Sequence, residues 1–154
     1  MPPLALKSLQ SLNEFIGREI AVTPWLRVTQ ERIQQFADAT GDRQWIHIDP
    51  ERAKRESPYG ATIAHGFLTL SLLSHFLSEA IELPREVRQT INYGLNRVRF
   101  PAPVRAGENI RARIRLQSCE AVSGSVQAVF EITTEAEGGA KPCCVAEWIV
   151  RYYS

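Results

Sequence analysis

Nowhere in the 154 residues do 18 apolar positions follow one another, so a membrane-crossing helix is not encoded. The opening MPPLALKSLQSL has neither a long apolar stretch nor a small-residue cleavage site, which points to a soluble, cytoplasmic protein. Cysteine is scarce and odd in number: Cys119, and the neighbours Cys143 and Cys144, which are poorly placed to bond each other, so reduced thiols are expected instead of a disulfide framework. Charge of either sign is not in excess, with 18 Lys and Arg against 17 Asp and Glu, and no global field recruits nucleic acid or an anionic membrane. The phosphate-binding patterns G-x-G-x-x-G and Walker are missing. Ser123 and Ser125 flank Gly124 outside any G-x-S-x-G frame, which removes the serine-hydrolase elbow. Repeats, low-complexity stretches and linkers are absent too, so residues 1–154 read as one domain.

What is present is a change of period along the chain. Leu9, Leu12, Phe15 and Ile16 recur at helical spacing and stop at Gly17. Glu19 to Val28 reads as a strand interrupted by Pro24, and Thr29 offers an N-cap to a helix that ends near Gly41. Between Asp42 and Gly60 periodicity is lost apart from a turn of helix starting at Pro50, and a loop of that length in a compact domain is usually functional. AHGFLTLSLLSHFLSEAIEL, from Ala64 to Leu83, is apolar nearly all round and predicts a buried central helix, with His75 a hydrogen-bonded core residue. After Pro84 apolar residues alternate: Ile91, Tyr93 and Leu95; then Ile110, Ala112, Ile114 and Leu116; then Val126 to Ile132; then Cys144 to Val150. Such a pattern predicts an α+β domain, its C-terminal half a meander wrapped around the central helix.

The chemistry concentrates in FADATGDRQWIHIDPERA. Taken singly, an Asp after Gly is more often a turn residue, and a lone His is more often structural. Asp42 and His47 stand five positions apart in an irregular loop, however, and a carboxylate and an imidazole that share one water can act as general base and acid. Further on, Gly66 opens the central helix, where free backbone N–H groups favour a developing oxyanion. A metal set of Asp42, His47 and Asp49 lacks a fourth ligand and a recognised spacing, so no metal is expected.

Together these residues resemble the signature of the MaoC-like and (R)-specific enoyl-CoA hydratase family, Gly-Asp-x-Asn-Pro-(apolar)-His, then Asp-Pro, then His-Gly at the start of the hot-dog helix. The matching positions are Gly41, Asp42, Gln44, Trp45, Ile46, His47, Asp49, Pro50, His65 and Gly66, and GLNRVRFPAPVRAGENIR also looks like the family's strand and turn after the helix. Gln-Trp-Ile-His in place of Asn-Pro-(apolar)-His is similar to the nodulation protein N-like branch.

The resemblance implies a hot-dog fold with no cofactor beyond a CoA or acyl-carrier thioester as substrate carrier. It also implies catalysis by Asp42, His47 and Gly66, with Gln44 orienting the water and Ser74 in the place of a supporting serine at the substrate. His65 is expected to shape the helix start beside the site, and Trp45 and Phe67 are candidates to line the substrate's acyl pocket, a position that core packing explains equally well. Arg97, Arg99, Arg105, Lys54 and Arg55 are candidates for carrier phosphates, although such arginines are commonly just solvated. A homodimer is expected, since a sheet covering one helix leaves an edge and an apolar flank. Two other readings stay open: a hot-dog thioesterase, in which the carboxylate activates water at the thioester carbon, and a binding module without catalysis.

Overall fold

A computed structural model describes residues 2–154. The first strand, β1 (Leu4–Ala5), precedes a 3₁₀ helix over Leu9–Phe15 that is capped reciprocally by Ser8 and Ser11. Pro24 divides the next extended segment into β2 (Glu19–Val22) and β3 (Leu26–Arg27). Thr29 then accepts the Arg32 N–H and starts α1 (Gln30–Thr40). Gly41, at φ 82°, closes α1 in the left-handed conformation that a residue with a Cβ avoids, and so turns Asp42 out of the helix.

The segment expected to be a single turn of helix after Pro50 carries two short helices, α2 (Trp45–Ile48) and α3 (Pro50–Glu56), with Asp49 capping the second through the Arg52 N–H at 3.0 Å. Four residues are too few to impose a period on a sequence, so no periodicity marks α2. The central helix also differs from expectation. It comprises α4 (Gly66–Ser71) and α5 (Leu73–Ala80), and the chain becomes extended at β4 (Ile81–Glu82), which pairs in parallel with β1. Only one face is buried in the protomer, through Leu68, Leu72, Leu73, Phe76, Leu77 and Ala80. Ser71, Ser74, His75 and Ser78 are exposed, so His75 is a surface residue.

The buried face lies on an antiparallel sheet built from β5 (Gln89–Arg99), β6 (Asn109–Val122), β7 (Ser125–Ala136) and β8 (Cys144–Tyr153), with β2 and β3 paired to β6. The strand order is β2-β6-β7-β8-β5. Alternation works as predicted on the inner face, where Ile110, Ala112, Ile114 and Leu116 meet Ala128, Phe130 and Ile132, then Cys144, Ala146, Trp148 and Val150.

The connectivity is a correction to a simple meander, because β5 joins the far side of β8 and only β6-β7-β8 run as neighbours in sequence. PAPVRAGE makes a tight turn at its end, where Glu108 N–H donates to Arg105 O at 3.1 Å around Gly107 at φ 89°, and it is also bound to the segment before α4: Ala64 N–H donates to Val104 O at 2.7 Å and Ala106 N–H to Thr62 O at 2.9 Å. That pairing carries the chain across the end of the central helix and holds residues 62–65 beside α2. Among the described residues no helix is long and apolar enough to cross a membrane.

Candidate active site

Three loops and helix ends converge at one end of the central helix. Phe36, Thr40, Asp42, His47, His65, Gly66, Phe67 and Phe100 line a cavity of about 290 Å³. The residues that hold it were not visible as a motif. Gln30, on the first turn of α1, donates its side-chain amide to the carbonyl of His47 at 2.7 Å and accepts the hydroxyl of buried Thr62. Ile63 N–H donates to Ile46 O at 3.0 Å. Helix α2 is thus fastened to residues 62–63 by both main chain and side chain. A glutamine near the start of an amphipathic helix looks like an ordinary surface residue in sequence, and no local signal distinguishes it.

His47 is buried, and its Nδ1 lies 2.7 Å from the carbonyl of Ile63. A carbonyl can only accept, so Nδ1 carries the proton and Nε2 keeps its lone pair. Burial lowers the His47 pKa below the ordinary 6.5; the neighbouring His65 lowers it further, while the Ile63 carbonyl and Asp42 raise it without reversing the direction. At neutral pH the ring is therefore an uncharged acceptor.

His65, also buried, donates Nε2–H to the main-chain carbonyl of Asp42 at 2.9 Å. Its ring stacks on that of His47 with centroids 3.8 Å apart and planes at 24°. Asp42 is the most solvent-exposed of the three, and its Oδ1 lies 3.3 Å from the Gln44 amide.

Gly66 is explained by packing. A Cβ placed on it would lie 3.1 Å from the ring of Phe100, so the absence of a side chain lets that ring lie against the helix start. As first residue of α4, Gly66 has no carbonyl one turn back to bond within the helix.

Of the residues predicted from sequence, Asp42, His47, His65, Gly66 and Phe67 come together around the cavity, and Gln44 adjoins it through Asp42. Trp45 does not line it; its ring packs under the guanidinium of Arg52, 4.2 Å from the ring centre. Ser74 is also elsewhere, in a separate groove of about 260 Å³ between α5 and β5, with Leu77, Thr90, Asn92 and Trp148. Phe36, Thr40 and Phe100 are additions that sequence alone did not suggest as site residues. Asp49, considered as a ligand, is occupied as the α3 cap. The set that does converge is Asp42, His47 and His65, whose ligand atoms lie within 4.8 Å of one another. With three donors, a divalent ion here would need water for its remaining positions.

The order Asp–turn–buried His, followed by His-Gly at the start of the central helix of an antiparallel sheet, is the architecture of one family, and residues 11–137 match the model of the MaoC-like domain. The chain belongs to the MaoC-like dehydratase family. It is 50% identical over 147 residues to 3-hydroxyacyl-thioester dehydratase Z of Mycobacterium tuberculosis, covering 95% of this chain and 96% of that protein. It is 46% identical over 143 residues to nodulation protein N of Rhizobium leguminosarum, covering 92% and 89%. Among solved structures, the unliganded R-hydratase PhaJ1 of Pseudomonas aeruginosa superposes with a TM-score of 0.69 over 90% of this chain and 82% of that one, at 22% identity. That likeness establishes the hot-dog fold for this MaoC-like chain.

Proposed function

We propose that this MaoC-like protein is an (R)-specific enoyl-thioester hydratase, equally a 3-hydroxyacyl-thioester dehydratase in the reverse direction. The observation that carries the proposal is that the unprotonated Nε2 of His47, the Asp42 carboxylate and the start of α4 at Gly66 meet in one cavity. A trans-2-enoyl thioester enters with its carbonyl oxygen at the Gly66 N–H. A water between Asp42 and His47 Nε2 attacks the β-carbon, and Asp42 takes its proton. The C=C electron pair moves toward the thioester oxygen as enolate, stabilised by the Gly66 N–H; Asp42 returns the proton it took to the α-carbon, while His47 Nε2 accepts the water's other O–H and holds it in line. Hydroxyl and proton thus add across one double bond, and dehydration retraces the path. The name of the mycobacterial relative, a thioester dehydratase, supports this reaction class.

The same proposal places CoA or an acyl carrier protein on the thioester and the protein in the cytoplasm as part of fatty acid metabolism; three free cysteines support a reducing compartment. It also includes a homodimer. Strand β5 pairs with β8 on one side only, and its Ile91, Tyr93 and Leu95 are 44%, 55% and 43% exposed in the protomer, an edge and flank suited to a second copy.

The test is loss of enoyl absorbance with crotonyl-CoA, with product chirality determined, for the natural protein beside Asp42→Asn and His47→Gln. An (R)-3-hydroxy product, abolished by both substitutions, is expected. Release of free thiol with the enoyl absorbance unchanged would transfer the site to a thioesterase.

A further inference from the structure

His65 has the geometry of a part built for something other than capping. It occupies the N-cap of α4, where a side chain ordinarily accepts an N–H of its own helix, yet it makes no such bond. Its own carbonyl accepts the N–H groups of Leu68 and Thr69 at 3.0 and 3.2 Å, which fixes its main chain to the helix start. From there the side chain crosses to the other half of the site. The Nε2–H holds the Asp42 carbonyl, in the loop where Gly41 has released the chain from α1, while one ring face lies against His47. Phe36, at 4.9 Å between ring centres, packs beside it, and Nδ1 is buried without a partner among the described residues. His65 is 3% exposed, so this ring has no freedom to be elsewhere.

We infer that His65 is a positioning residue of the acid–base pair: one side chain, anchored by the central helix, holds the Asp42 main chain by hydrogen bond and the His47 ring by stacking, and so fixes the separation of the two reacting groups. The inference rests on the hydratase reading. Among the described residues Asp42 has no other hydrogen bond to the central helix, since its Oδ1 is met by Gln44 in the same loop at 3.3 Å and its N–H by Thr40, the last residue of α1, at 3.4 Å. Without His65 that loop is free to drift from His47, and a displacement of about 1 Å is enough to slow a positioned reaction about 100-fold.

Three substitutions separate the two contacts. His65→Gln keeps an N–H donor for Asp42 but has no ring; His65→Phe keeps the ring face but has no donor; His65→Ala keeps neither. With crotonyl-CoA, His65→Ala is expected to lower kcat about 100-fold with KM within about threefold, as for an interaction realised in the transition state. Gln and Phe are each expected to recover about tenfold of that loss. Should the alanine variant fail to fold, the Gln and Phe variants, which fill the space, carry the comparison, each with kcat about tenfold below the natural protein.

Asp42→Asn and His47→Gln are measured alongside. If both are inactive while the His65 variants retain kcat within twofold, or while neither Gln nor Phe improves on Ala, the positioning role is wrong and the hydratase reading stands. If Asp42→Asn and His47→Gln keep full activity, the hydratase reading fails and the inference with it.

Discussion

Replacing Gly66 by Ala keeps the backbone N–H and tests whether the thioester oxygen reaches it beside Phe100. Gly66 does not require positive φ, so alanine adopts its backbone without strain, and Ala in place of Gly favours a helix by about 0.5–1 kcal/mol. Against this, the new methyl would stand 3.1 Å from two carbons of the Phe100 ring and 3.2 Å from a third, inside ordinary carbon contact of about 3.5–4.0 Å. Overpacking of that kind costs about 1–3 kcal/mol in a rigid core. Phe100 is 39% exposed and can swing outward, so the lower end applies and the net loss of stability is about 0–2 kcal/mol.

At about 2–4 °C per kcal/mol for a chain of this size, Tm falls by less than about 8 °C. Catalysis has no such relief. The methyl and the displaced ring both border the cavity where the thioester oxygen must approach Gly66; the N–H remains, and if access to it is blocked the loss approaches that of one preorganised donor, about 2.7–4 kcal/mol or about 10²–10³ in kcat. Initial rates with crotonyl-CoA and a thermal melt, repeated in Gly66→Ala/Phe100→Ala to give the methyl room, decide the matter. Because alanine keeps the N–H, natural kcat in Gly66→Ala would show that the thioester oxygen does not approach along the face that the methyl and the displaced ring fill. No recovery in the double variant would refute the part played by Phe100.

Because burial holds the His47 pKa below 6.5, hydration should fall off with an acid midpoint below pH 6.5 as Nε2 gains a proton; a pH–rate profile with its midpoint above 6.5 would contradict the buried, neutral ring. Stability should follow the same sign. Between 6.5 and the lower folded value the unfolded chain binds more protons, so the His47 contribution is complete above pH 6.5 and declines as pH falls, measurable by denaturant titration at a series of pH values. Gln30→Ala leaves the Thr62 hydroxyl and the His47 carbonyl without their partner and should destabilise the protein by about 1–3 kcal/mol, with slower turnover; an unchanged melt and unchanged kcat would show α2 to be held by the main chain alone. If the proposed homodimer forms through the edge strand, Leu95→Lys should lower the natural protein's sedimenting mass to that of a monomer while leaving its far-UV circular dichroism intact, and a dimer of undiminished affinity would move the interface elsewhere.

Sequence by itself determined the parts in which one residue type leaves a local mark. Period-two alternation from Ile110 to Leu116 and from Cys144 to Val150 is dictated by a sheet buried on one face, Thr29 and Gly41 are dictated by the ends of α1, and Asp42, His47 and Gly66 stand in a spaced signature. Tertiary structure alone decided what depends on contacts distant in the chain. The position of β5 beside β8 rests on an antiparallel ladder running from Gln89 opposite Tyr153 to Arg99 opposite Val145, partners distant in the chain that no alternation pattern encodes. The half-exposed central helix follows from how much of it the protomer's sheet covers, whereas its composition shows only that it is apolar. Ser74 matches a family position by spacing, yet it lies in the α5–β5 groove because a helix of this length carries it away from the cavity at its own start. The tautomer of His47, the stacking of His65 on it and the support from Gln30 are side-chain relations across 16 or more residues of chain, and only folding brings those partners within reach.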